Sequence, residues 1–163
     1  MYYVVRMKTE KVVIIDNVRS AHNVGSIFRT SDGAGVASII LVGYTPSPID
    51  RFGRQQPEIK KTSLGASAMI PFQTKESGED ILKYIEELKS DGFTIVALEQ
   101  TGTSVSLYDF IVPQKVVYIV GNEIDGVSPG LLSVCDLAVE IPMVGKKESL
   151  NVGVAIGVLL FYK

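Results

Sequence analysis

An α/β domain with a mostly parallel sheet flanked by helices is the fold the sequence predicts. Short β-branched and aliphatic runs alternate with stretches of helical spacing, the pattern of successive β-α units. Two of those runs, Phe93–Leu98 (FTIVAL) and Lys115–Val120 (KVVYIV), are apolar almost throughout, as strands are when both faces of a parallel sheet are covered. No internal repeat or linker interrupts the pattern. The 163 residues, 46% of them hydrophobic, therefore read as one domain over 1–163, long enough to bury a core.

In chain order, Lys11–Ile15 (KVVII) is the first strand, closed by the turn-prone pair Asp16-Asn17. Ser20 is placed to cap a helix whose apolar positions Val24, Ile27 and Phe28 fall at helical spacing, and which ends near Gly33 or Gly35. Ser38–Val42 (SIILV) is the second strand, stopped by Gly43. Tyr44–Gly65 carries Pro46, Pro48 and Pro57 with the basic residues Arg51, Arg54, Lys60 and Lys61, and reads as a loop with at most short helical pieces. Met69–Phe72 is a third strand, which Pro71 confines to a sheet edge. Ser77–Asp91 is the clearest helix: Ser77 and Asp80 make a capping-box-like start, Ile81, Leu82, Ile85 and Leu88 form its apolar stripe, and Gly92 stops it. After the two buried strands come Leu137–Ile141 (LAVEI), the last strand, and a final helix from about Ser149 to the C-terminus.

Composition narrows the function classes. A formal charge of −2 argues against a strongly basic nucleic-acid coat. The single cysteine, Cys135, leaves no internal disulfide framework and no cysteine-rich zinc site. The single histidine, His22, makes a histidine metal cluster or a Ser-His-Asp triad hard to assemble, so no metal is expected. The longest apolar run, Val152–Tyr162, is 11 residues and too short to span a bilayer. The N-terminal MYYVVRMKTEK has neither the apolar stretch nor the cleavage site of a signal peptide. A cytoplasmic protein with no membrane partner is expected.

The final helix is informative about assembly. From Leu150 to Tyr162, only Asn151 and the tyrosine carry a polar side-chain group. A helix that is apolar all round must be buried all round. One face covers the sheet; the other asks for a second cover, expected to be a second copy of the chain in a two-fold homodimer.

Three polar clusters fall where a strand hands over to a loop or helix, the edge of an open α/β sheet where ligands bind. The first is NVRSAHNVGSIFRT over 17–30, in which Asn23, Ser26 and Thr30 share helical spacing and Arg29 follows Asn23 by about a turn and a half. Alone it reads as a capped surface helix. The second is VYIVGNEIDGVSP over 117–129. Its Gly121 and Gly126 are spaced as in a phosphate-cradling P-loop, but Val127 and Ser128 stand where that loop needs its Lys-Ser/Thr pair. What remains is a tight acidic turn that presents backbone groups and a carboxylate. The third is EIPMVGKKESLNVGVA over 140–155. Here Ser149 is a candidate N-cap with Asn151 in the first turn; exposed amides beside the Ile141-Pro142-Met143 strip also suit an adenine or a ribose.

Together the clusters resemble the three sequence motifs of the SpoU-like (TrmH-type) branch of the SPOUT class of RNA ribose methyltransferases. The matching stretches are NVRSAHNVGSIFRTSDGAGV, IVGNEIDGVS and IPMVGKKESLNVGVAIG, in the family's order from about Val12 onward. The connecting KKTSLGA and ALEQTGTSVSLYDF are similar to family sequence too. Gly153 departs, standing where the family often has serine or alanine, a change expected to loosen the start of the last helix. The resemblance implies a C-terminal trefoil knot, which general rules of chain topology do not predict. It also implies S-adenosylmethionine as cofactor, a dimer, and methylation of a ribose 2′-hydroxyl in tRNA or rRNA.

Carried over residue by residue, the resemblance implies that Arg29 is catalytic, that Asn23 holds it or the acceptor nucleotide, and that Glu123, Ser149 and Asn151 shape the active site. Leu98, Glu99, Gln100, Gly121, Asn122, Glu123, Gly126, Ile141, Met143, Ser149, Leu150 and Asn151 are the residues expected at the cofactor. A guanidinium stays protonated in proteins. Arg29 is therefore expected to grip a phosphate and stabilise charge developing on O2′, rather than to act as the base. Local charge is then expected to meet RNA, through Arg19, Arg29, Arg51, Arg54, Lys60, Lys61, Lys146 and Lys147 on one face across two subunits. Two rivals remain. One is a catalytically silent RNA-binding or ribosome-assembly factor on the same fold, against which the intact polar residues argue. The other is a small-molecule enzyme on an unknotted nucleotide-binding sheet, against which the missing glycine fingerprint and P-loop lysine argue.

Overall fold

The computed structural model describes residues 9–163. Most of the N-terminal stretch read above for a leader lies outside the described residues. Among those described, seven strands form one sheet in which every neighbouring pair is parallel. The strands are β1 (Glu10–Asp16), β2 (Ser38–Val42), β3 (Phe72–Lys75), β4 (Thr94–Leu98), β5 (Val105–Ser106), β6 (Lys115–Val120) and β7 (Leu137–Glu140). Their order across the sheet is β3-β2-β1-β6-β4-β7-β5. The helices are α1 (Ala21–Gly33), α2 (Pro57–Ser63), α3 (Ala66–Met69), α4 (Glu79–Ser90), α5 (Pro129–Val134) and α6 (Val152–Phe161).

Side-chain alternation divides each central strand between two cores. Val13 and Ile15 of β1 and Tyr118 of β6 pack with Val24, Ile27 and Phe28 of α1 and with Ile156, Leu159 and Leu160 of α6. Val12 and Ile14, with Val117 and Ile119, pack on the other face against Ile81, Ile85 and Leu88 of α4 and Leu131 of α5. Each such fully buried side chain contributes about 1.5–3 kcal/mol. Helices on both faces explain why these strands carry no polar alternation. No helix among the described residues is long and apolar enough to cross a membrane.

Helices α1 and α6 approach closely because small residues meet between them. A Cβ on Gly153 would lie 3.4 Å from Ser26 Cβ, and one on Gly157 would lie 3.2 Å from Thr30 Cγ2. The tighter of the two contacts is at Gly157, while Gly153 lies at ordinary contact distance from α1. At the other end of α6, Lys11 Nζ donates to the Leu160 carbonyl at 2.8 Å, satisfying an acceptor of the last turn.

Several boundaries differ from the sequence expectation. The third strand begins at Phe72, because Ala66–Met69 forms a helical turn first; it is an edge strand, as Pro71 required. Ser77 does not cap α4. The chain enters that helix through Gly78 at φ +91°, open to glycine, while the Asp80 carboxylate accepts from the Glu76 amide at 3.0 Å. Ser149 does not cap α6 either. The cap is Asn151, whose Oδ1 accepts from the Gly153 amide at 2.9 Å.

Candidate active site

Because all the strands run the same way, the turns that follow β1, β4, β6 and β7 gather at one edge of the sheet. The loops after β4, β6 and β7 enclose a cleft there, with Leu98, Ile141, Met143 and Leu150 as apolar walls. Glu99, Gln100, Gly121, Asn122, Glu123, Gly126 and Ser149 also line it. Of the residues expected at a cofactor, only Asn151 stands outside this lining. Val152 and Ala155 of α6 line it as well, and were not anticipated.

The turn after β6 is shaped by two glycines and an asparagine. Asn122 and Gly126 exchange backbone hydrogen bonds of 3.1 and 2.8 Å, closing a loop that Gly126 turns at φ +71°. A Cβ on Gly121 would lie 2.2 Å from the Gly126 carbonyl and from the Val127 nitrogen, so only glycine fits that approach. Asn122 is buried, and its side chain is fully committed. Oδ1 accepts from the Ile124 amide, and Nδ2 donates to the Asn17 carbonyl at 3.1 Å and to the Tyr44 hydroxyl at 3.4 Å. The Glu99 carboxylate crosses from the β4 loop to accept from the Val127 amide at 2.9 Å.

Asn23 joins all three clusters. Its Nδ2 donates to Glu123 Oε1 in the turn after β6. Its Oδ1 accepts from Asn151 Nδ2 at 3.1 Å, at the cap of α6. Its own amide is held by the Ser20 hydroxyl at the cap of α1. Residues 100 and 128 positions away from Asn23 thus meet through its one side-chain amide. Arg29 takes no part in this junction. Six residues at about 100° each carry it about 240° around α1 from Asn23, onto the exposed face.

All the basic residues expected at RNA are exposed. Arg19, Arg51, Arg54, Lys146 and Lys147 lie in loops that leave the same sheet edge, and Lys60 and Lys61 close α2. Arg19 lies over the Tyr44 ring, 5.3 Å from its centroid. Cys135 lies outside the site, and burial pushes its thiol up to about 11, so it stays protonated at neutral pH.

The sequence reading missed Asp16 and Thr45 as organisers of the site. Asp16 is buried at the end of β1 and accepts from the Ser128 amide at 2.7 Å, fixing the turn after β6 from behind. Thr45 donates to the Ile15 or Val42 carbonyl and accepts from the Val18 amide at 3.2 Å. The available signal was an acidic residue closing an otherwise apolar strand.

Against known proteins, the model of the SpoU rRNA Methylase family matches residues 10–161. The chain belongs to the SpoU rRNA Methylase family. Among SpoU relatives, a 23S rRNA (guanosine-2'-O-)-methyltransferase RlmB of Neisseria meningitidis serogroup B is 32% identical over 149 residues, which is 91% of this chain and 56% of that protein. The tRNA (guanosine(18)-2'-O)-methyltransferase of Aquifex aeolicus is 31% identical over 96% of this chain and 69% of its own length. The crystal structure of an AdoMet-bound rRNA methyltransferase from Sinorhizobium meliloti superposes with a TM-score of 0.82 at 30% identity, over 95% of this chain and 56% of that one. Similarity to such SpoU structures implies the C-terminal trefoil knot expected from the motifs. The chain spans little more than half the length of several of the relatives it matches.

Proposed function

We propose that the chain, over 1–163, is an S-adenosylmethionine-dependent methyltransferase domain that acts as a homodimer on a ribose 2′-hydroxyl of tRNA or rRNA. The junction at Asn23 carries this reading, because it brings the three polar turns together beside a cleft with apolar walls. The cleft fits the cofactor chemically. Leu98, Ile141, Met143 and Leu150 offer surfaces for a purine and a thioether chain, and Gln100, Glu123 and Ser149 supply polar contacts at its border. Relatives named as 2′-O-methyltransferases and a neighbour described as AdoMet-bound support the same reading.

When bound, S-adenosylmethionine supplies an electrophilic methyl group on a sulfonium, a good leaving group. The protein's part is then alignment, which supplies roughly 7–11 kcal/mol of barrier reduction in well-oriented cases. Asn23, fixed on both sides by Glu123 and Asn151, orients the acceptor end of the site. The apolar walls exclude water. Arg29 grips the phosphate beside the target sugar and stabilises charge developing on O2′ while the hydroxyl proton passes to solvent water.

The dimer completes this picture. In a single chain, Val154, Val158 and Phe161 expose an apolar stripe along α6, at 54%, 40% and 56%. A second copy covers the stripe and brings its own surface beside α1, where Arg29 projects without joining its own chain's junction. Replacing Val158 by aspartate is expected to shift the protein from dimer to monomer in sedimentation velocity and to lower methyl transfer. A monomeric unaltered protein contradicts the dimer.

Titration calorimetry with S-adenosylmethionine tests the enzymatic reading against a silent RNA-binding factor. One site per chain is expected. No binding heat at any concentration overturns the reading.

A further inference from the structure

The loop between β2 and α2 ends in a tip that the proposed chemistry at the cleft does not use. Ile49 and Gln55 pair in an antiparallel bridge, and residues 50–54 form a tight turn between them. Asp50 holds that turn together. Its Oδ1 accepts from the Phe52 and Arg54 amides at 2.8 and 2.9 Å, and its Oδ2 accepts from Arg54 Nε at 2.7 Å. These bonds hold the Asp50 carboxyl below its ordinary value, the Arg54 amide acting most strongly. The turn is therefore set at neutral pH and loosens only as acid protonates that carboxylate.

Phe52 stands at the apex, 66% exposed. The Arg51 and Arg54 guanidinium groups lie 4.8 and 5.1 Å from its ring centroid. The base of the loop is fixed as well. Thr45 is buried at one end, and at the other α2 packs against Gly25 of α1. The result is an exposed aromatic ring with two guanidinium groups beside it, on a turn whose backbone is set before any ligand arrives.

We infer that this Arg51-Phe52-Arg54 tip is a stacking platform for an unpaired nucleobase of the RNA substrate. The inference rests on the proposed action on RNA and narrows the substrate to RNA whose target lies near an unpaired, splayed-out base. Bases stack on aromatic rings and on guanidinium planes, and the two cations meet the flanking phosphates. A helical duplex hides its base faces, so the tip separates unpaired from paired nucleotides. An apolar protein partner fits poorly, because covering the ring would strip water from two guanidinium groups.

The sequence contains no tryptophan, so Phe52→Trp introduces the single tryptophan at the apex, excited apart from the tyrosines at the red edge of their absorption. Its emission is expected to be quenched by a single-stranded RNA oligonucleotide and far less by a fully paired RNA duplex or by heparin. Phe52→Ala is expected to weaken binding of the single strand by about 5- to 150-fold, as loss of one base stack does. Phe52→Trp is expected to bind it as the unaltered protein does, and both variants are expected to keep full S-adenosylmethionine affinity. Equal quenching by heparin and single-stranded RNA, no quenching by any RNA, or unchanged RNA affinity in Phe52→Ala overturns the inference. These readouts use RNA alone. Failure of the methyltransferase reading appears separately, as absent S-adenosylmethionine binding or absent transfer by the unaltered protein.

Discussion

Replacing Arg29 by alanine is expected to lower methyl transfer to RNA by about 100- to 1,000-fold, the cost typical of removing one charge-stabilising donor from an active site. Stability and S-adenosylmethionine affinity are expected to stay near those of the unaltered protein. The side chain projects from the exposed face of α1, outside the Asn23 junction, so its loss leaves no cavity and no orphaned partner within its own chain. Thermal melts and calorimetry check those two controls, and single-turnover transfer checks the rate. A pH–rate profile separates the two roles an arginine there can play. A charge stabiliser that never titrates leaves the profile's shape unchanged in Arg29→Ala and lowers its height, whereas loss of a general base removes a limb. Transfer by Arg29→Ala at near the unaltered rate eliminates both roles.

The second large effect is expected at Gly121. Alanine there places a Cβ 2.2 Å from the carbonyl of Gly126 and from the nitrogen of Val127, and neither is a flexible side chain that can swing aside. The turn must open. Opening it breaks the paired hydrogen bonds between Asn122 and Gly126 and pulls the Val127 amide from Glu99. Overpacking of this kind costs about 1–3 kcal/mol, and each kcal/mol lowers the melting midpoint by about 2–4 °C in a domain of this size. The turn is also a wall of the cleft, so S-adenosylmethionine affinity is expected to fall, and methyl transfer by about 100-fold. Gly130→Ala is the control. A Cβ at Gly130 meets nothing within 4 Å, and the change is expected to be neutral or slightly stabilising in α5. Unaltered binding by Gly121→Ala means the turn does not shape the ligand site.

Much of the frame was legible because it is local. Continuous apolar runs marked β1, β2, β4 and β6 to within a residue or so, and Ser20 caps α1 where its position before a helical stripe required. The polar clusters at strand ends pointed to one sheet edge, since parallel strands can only deliver their C-terminal turns to the same side. What failed was set by distant partners. Ser149 and Asn151 are both competent caps; the choice falls to Asn151, which also reaches Asn23, 128 residues earlier in the chain. Asp16 looked like half of a turn-forming pair, yet its carboxylate is buried and meets an amide 112 residues away. Helix α5 spans six residues, too few for a periodicity to register. The outward aim of Arg29 follows from where α1 begins, which the motif alone left open.

The most direct measurement gives the protein S-adenosylmethionine labelled on its methyl group together with total RNA, then digests the RNA and identifies the labelled nucleoside. The account predicts label on ribose O2′ at a defined nucleotide, carried within an alkali-resistant dinucleotide. Label on a base, or no transfer by a protein that binds the donor, contradicts it.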